Sequence, residues 1–150
     1  MKKWLMLLGA AAVLLFPSRE GTELGELLPV ELICISREEN QTAVRTDTGD
    51  CGKGRTLAEA VEDLKQHAAG TIYLDTADYV ILSREIPWQE LLRVLRPSTE
   101  VCYGEEIGDL QEAAAWLRIH SPEVSFRDLR SGLGTIPELQ EKEGRLHLEE

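Results

Sequence analysis

The sequence predicts an α/β protein: a single small layered domain, with a mixed sheet of about four to five strands and three to four helices packed on it. Three observations carry this expectation. β-branched, apolar segments alternate with segments of helical periodicity from residue 30 to residue 117. Helix starts are marked by capping residues at the right spacing. With 150 residues of which 43% are hydrophobic, the chain has material for one core of ordinary size.

The elements follow in order. Val30 to Ser36 (VELICIS) is apolar and β-branched, a strand by composition. The charged turn Arg37 to Gln41 joins it to Thr42–Thr48, which alternates well enough to form a hairpin partner. Gly49 to Gly54 (GDCGKG) reads as a glycine-rich loop. Thr56-Leu-Ala-Glu59 is a capping box, and Leu57, Ala60, Val61, Leu64 and Ala68 then share one helical face until Gly70 stops it. Thr71–Asp75 and Tyr79–Leu82 are short strands around a polar turn. Pro87 at a first helical position, with Trp88, Leu91, Leu92 and Leu95 at helical spacing, predicts a second helix that Pro97 ends. Thr99–Tyr103 is a strand. Asp109 caps a third helix carrying Leu110, Ala113, Ala114 and Leu117, and Ser125 to Leu133 is a short helix with Ser125 and Asp128 at capping spacing. In the acidic tail, Arg145–Leu148 reads as a last edge strand.

The N-terminus is a different kind of object. Lys2 and Lys3 precede 13 uncharged, apolar residues, Trp4 to Phe16, too short for the roughly 17–25 needed to span a bilayer. Residues 1–18 are therefore expected to be a signal peptide or marginal membrane anchor, 19–29 a linker and 30–150 the folded domain. No Cys follows the apolar run, so a lipid-attachment site is not expected, and whether the segment is cleaved stays open. The chain carries −11 overall. Beyond residue 18 it holds 14 basic against 27 acidic residues, which argues against non-specific nucleic-acid binding, since phosphate neutralisation needs clustered Lys and Arg.

No catalytic constellation emerges, and no cofactor-binding or metal-ligating set is expected. Gly49 to Thr56 approaches the spacing of a phosphate-binding loop, but Arg55 stands where that loop needs a compact Lys, so the string reads as a turn delivering a capped helix. Cys34, Cys51 and Cys102 are an odd count without close pair spacing; Cys34 and Cys102 fall in strands and only Cys51 is expected to be reactive. His67, His120 and His147 share no ligand spacing. Asp75 and Asp78 bracket a turn, which is the ordinary use of Asp, and Trp88 and Trp116 belong to apolar faces.

Gly54-Arg-Thr56-Leu-Ala-Glu59-Ala60, with Leu64 one turn on, resembles the helix signature G-x-T-[LI]-x-E-A of a known family: the N-terminal domain of the C subunit of GerA-type spore germination receptors. Thr71 to Glu85 lines up without a gap with that family's next two strands, and Arg96 stands where the family has an Arg before a strand like Thr99–Tyr103. The likeness extends over residues 19 to 150. It departs at Phe16-Pro-Ser-Arg-Glu20, where the family has a lipidated Cys followed by Trp-Asp, and at Thr76 and Ser83, where it has His and Gly. Family members also continue into further domains, so this chain is expected to correspond to the first domain alone.

The resemblance implies an exported, extracytoplasmic, membrane-associated and non-enzymatic component acting through protein contacts in germination, at the spore inner membrane. Its implied partners are other germinant-receptor subunits or envelope proteins; the small-molecule ligand is unspecified. Gly54, Thr56, Glu59, Ala60, Leu64 and Arg96 are signature residues with a structural role. Two alternatives stay open: a generic exported binding or structural module of the envelope, and a small secreted hydrolase using Asp75 and Asp78.

Overall fold

A computed structural model describes residues 27–105 and 107–149 of the chain, the side chains of Leu27 and Leu28 excepted. The export segment predicted over 1–18 and most of the predicted linker lie outside the described residues. No helix among the described residues is long and apolar enough to cross a membrane.

The fold grows from a hairpin. β2 (Leu32–Glu38) and β3 (Gln41–Thr46) pair antiparallel, and β4 (Cys51–Gly54) returns along β3. Helix α1 (Leu57–His67) then carries the chain across the sheet face to β5 (Thr71–Tyr73) and, through a 3-10 turn at Leu74–Thr76, to β6 (Tyr79–Leu82). A second 3-10 helix (Trp88–Arg93) leads to β7 (Glu100–Gly104). Helices α2 (Leu110–Leu117) and α3 (Phe126–Arg130) precede the closing hairpin of β8 (Glu138–Lys142) and β9 (Arg145–Glu149). A short segment at the start, β1 (Leu27–Pro29), pairs in parallel with β5, apart from the main sheet.

The main sheet has seven strands in the order β4-β3-β2-β6-β7-β8-β9. The inner four, β2, β6, β7 and β8, are parallel, and each edge is finished by antiparallel pairing. The class is α/β, but the expected sheet of about four to five strands is corrected to seven. β4 was hidden in the glycine-rich string 49–54. β8 has the sequence ELQEK, in which one apolar residue gives no strand period. The linker expected over 19–29 also ends early, because 27–29 pair with β5. The helix expected from Pro87 is the 3-10 helix Trp88–Arg93; Leu91 and Leu95 are buried and Trp88 and Leu92 half-buried against the core, so the apolar spacing holds while the winding is tighter.

Central parallel strands are covered on both faces, and their side chains alternate between two cores. Ile33, Ile35, Val80, Leu82 and Val101 face α1, the 3-10 helices and Phe126 of α3. Leu32, Cys34, Ile81, Cys102 and Leu139 face α2, which contributes Leu110, Ala113, Ala114 and Leu117. Each fully buried Leu, Ile or Phe contributes roughly 1.5–3 kcal/mol. The helices start where capping predicts: Asp109 accepts from the Gln111 and Glu112 amides, and Ser125 with Asp128 forms a reciprocal capping box. The β8–β9 turn is Glu143-Gly144, with φ of +52° and +70°, the left-handed pair that a two-residue hairpin requires.

Candidate functional site

Five of the six signature residues meet at one junction. β4 lies so close to α1 that a Cβ on Gly54 would stand 2.5 Å from the Ala60 amide nitrogen and 2.5 Å from Glu59 Cβ. At Gly52 it would stand 2.3 Å from the Ala60 carbonyl oxygen and 2.3 Å from the Leu64 nitrogen. Ala60 and Leu64 are wholly buried here. Thr56 Oγ1 accepts from the Glu59 amide at 3.2 Å, and Glu59 Oε2 accepts from the Arg55 amide at 2.8 Å, one residue earlier than the usual capping-box partner. The outer edge of the strand is tied as well: the Lys53 amide donates to Asp63 Oδ2 at 2.8 Å. The glycine string is therefore a strand packed backbone to backbone against a helix, and not the loop that its composition suggests.

The sixth, Arg96, lies elsewhere. Its Nη2 donates to the Thr76 carbonyl at 2.9 Å, the Ala77 carbonyl at 3.3 Å and Asp78 Oδ1 at 2.9 Å. The fork clamps the turn before β6. Asp78 is thus engaged by Arg96, and Asp75 lies in the 3-10 turn Leu74–Thr76. His67 Nδ1 sits 3.1 Å from Asp63 Oδ1, and His120 lies against the Trp116 ring with centroids 4.4 Å apart. Among the described residues no group of three or more His, Cys, Asp or Glu is arranged to hold a metal ion.

Cys34 and Cys102 are buried and Cys51 is exposed. Cys34 and Cys102 each sit opposite Ile81 in register, so they lie two strand spacings apart, about 9–10 Å, beyond disulfide reach. Burial pushes both thiols up, and for Cys34 this outweighs the neighbouring Arg45 guanidinium. Neither is a thiolate nucleophile near neutral pH.

A cavity of about 520 Å³ opens at the carboxyl ends of β2, β6 and β7. It exists because the strand positions there carry little volume: Ser36, Ser83 and Gly104 stand one pleat beyond the Cys34–Ile81–Cys102 rank, which α2 covers. Arg45, opposite Cys34 across the hairpin, projects along its wall. Its Nη2 lies 3.6 Å from Cys34 Sγ and 3.4 Å from the Ile107 carbonyl, and its Nε is buried without a hydrogen-bond partner among the described residues. Among the described residues it has no carboxylate within ion-pair distance. The rim carries Glu85, Glu105 and Glu38, the last held by Lys53 at 2.5 Å.

Sequence reasoning did not single out Arg45. The signal was present: Ala43, two residues earlier and so on the same face of β3, is fully buried, which places Arg45 on a part-buried phase. Comparison with protein-family models, with curated proteins and with solved structures finds no match.

Proposed function

We propose that the chain is an exported, membrane-associated and non-enzymatic component of the spore envelope. In this reading it acts through contacts with germinant-receptor subunits, as its resemblance to the N-terminal domain of the GerA-type C subunit implies. One observation carries the reading: the signature residues on which the resemblance rests are residues that the fold needs. Gly54, Thr56, Glu59, Ala60 and Leu64 hold an edge strand to a helix, and Arg96 clamps a turn. A shared pattern at such positions supports a shared scaffold. The work is then left to the surface, as in a protein that binds partners.

The test is co-purification from spores. A tagged full-length chain is expressed in a spore-forming bacterium, solubilised from the inner membrane and immunoprecipitated, with the membrane-spanning receptor subunits probed by name. Recovery of those subunits, lost when they are deleted, is the expected result, together with slowed germination of spores lacking the chain. A chain that is found only in the cytoplasm, or that leaves the receptor subunits behind, overturns the proposal.

A further inference from the structure

We propose that the cavity at the carboxyl ends of β2, β6 and β7 is a binding site for a small carboxylate, with the Arg45 guanidinium as its anchor. Crevices beyond the carboxyl ends of parallel strands are where open α/β sheets bind small ligands. The volume of about 520 Å³ falls in the range of small-molecule sites. Position and volume say only that something fits; Arg45 says what.

A guanidinium drawn into a protein is costly unless its donors find acceptors. Arg45 meets that cost badly in the unliganded chain. Among the described residues its Nε has no acceptor, and its Nη2 has only a thiol, a weak acceptor, at 3.6 Å and a carbonyl at a long 3.4 Å. A Met would fill the same space at the wall without that cost. The outer edge of the guanidinium, whose Nη1 has no partner and whose Nη2 has only those two among the described residues, lines a cavity floored by Ser36 and Ser83 and matches the geometry of a carboxylate that takes two parallel hydrogen bonds. The rim decides between anions. Glu38, Glu85 and Glu105 surround the mouth, with Arg37 the other cation on the lining, its Nη1 donating to Thr42 Oγ1 at 3.1 Å. A phosphate dianion would meet Glu85 and Glu105 on entry, beside a Glu38 already held by Lys53, whereas a monoanion meets less repulsion, and a neutral or cationic tail can lie along the acidic rim. This inference is independent of the germination reading: either can fail alone.

The experiment follows the Nε–H resonance of Arg45 in the nitrogen-15-labelled full chain during titration with butyrate, against chloride and inorganic phosphate at matched ionic strength. A saturable shift with butyrate at concentrations at least tenfold below those at which chloride or phosphate moves the signal is expected. Arg45→Lys keeps the charge and loses the fork, and should weaken butyrate binding tenfold or more, followed by backbone shifts at Ser36 and Ser83. Ser83→Val fills the floor, leaves Arg45 in place and should abolish binding in a folded chain. Glu106, which lies outside the described residues, supplies the control for an internal partner: Glu106→Gln should leave the Arg45 signal unmoved. The proposal is overturned by a butyrate response no greater than that to chloride, by phosphate binding as tightly as butyrate, or by Ser83→Val retaining binding. A Glu106→Gln variant that shifts the Arg45 signal as butyrate does also overturns it, because the chain's own carboxylate then occupies the place.

Discussion

Replacing Gly52 by Ala tests whether the β4–α1 junction is held by backbone contact. The added Cβ would stand 2.3 Å from the Ala60 oxygen, 2.3 Å from the Leu64 nitrogen and 2.6 Å from Leu64 Cα. All three are helix backbone, so no side chain can turn aside. Ordinary contact begins near 3.4 Å, so α1 must retreat by about 1 Å along its central turn. A gap of that size forfeits roughly a quarter to a half of each dispersion contact. It does so over the buried residues Leu57, Ala60, Val61 and Leu64. Overpacking costs typically 1–3 kcal/mol, and where backbone must move the upper end applies, about 3 kcal/mol. At about 3 °C per kcal/mol for a domain of this size, the melting temperature should fall by about 10 °C. Urea unfolding should show a lower midpoint at unchanged slope. Gly108→Ala is the matched control: nothing among the described residues lies within 4 Å of its added Cβ, and the change should stay within about 0.5 kcal/mol. Adding Ala60→Gly to Gly52→Ala should not rescue, because the clash is with main-chain atoms. A Gly52→Ala loss below about 0.5 kcal/mol, or a rescue by Ala60→Gly, would refute the reasoning.

Arg96→Met removes the donors to the Thr76 and Ala77 carbonyls and should cost about 1–2 kcal/mol by urea unfolding. The half-exposed Asp78 pair contributes little of that, so Asp78→Asn should be nearly neutral. Asp128 is held below the usual carboxylate range by its hydrogen bonds from Ser125, and Glu138 by Arg84. A depressed folded value means stability that is present above the ordinary carboxylate value and lost as pH falls through the depressed one. Melts below about pH 4 should therefore show a loss that Asp128→Asn reduces. A thiol reagent should modify Cys51 rapidly in the native chain and Cys34 and Cys102 only on unfolding; equal rates for all three would contradict the burial described. Glu143→Asn, at the φ of +52° in the β8–β9 turn, should stabilise by about 0.5 kcal/mol in thermal melts.

What could be read from the sequence was what depends on side-chain pattern and local hydrogen bonding. α1, α2 and α3 were legible because Thr56, Asp109 and Ser125 announce their starts and the apolar face follows. β2 was legible as an apolar, β-branched run. β4 was not, because its sequence CGKG is set by what lies above it: the glycines are there to admit a helix, a contact between segments that periodicity does not record. β8 was missed for the opposite reason, since ELQEK is shaped by an acidic, half-solvated hairpin against β9. The winding of 88–93 was also beyond reach, since the same apolar spacing serves both a 3-10 and an α-helix when Leu91 and Leu95 need only reach one core.

The same distinction explains why the signature and the cavity speak of different things. Gly54 is fixed by its contact distance to the helix backbone, and Ala60 and Leu64 by their complete burial, demands that any sequence adopting this junction must respect, whatever its surface does. Arg45 is under no such constraint. Its neighbours Ala43 and Val44 show that the strand accommodates small apolar residues, and among the described residues its Nε is left without an acceptor. Replacing a poorly satisfied, part-buried charge by an apolar residue of similar length is commonly neutral or stabilising. Arg45→Met should therefore raise the melting temperature or leave it unchanged, while the reverse logic at Gly52 lowers it. A fall of more than about 1 kcal/mol for Arg45→Met would mean that the guanidinium is a strut between Cys34 and the Ile107 carbonyl, and the cavity beside it a by-product of packing. A gain would mark Arg45 as a residue kept at the expense of stability, as residues in binding sites often are.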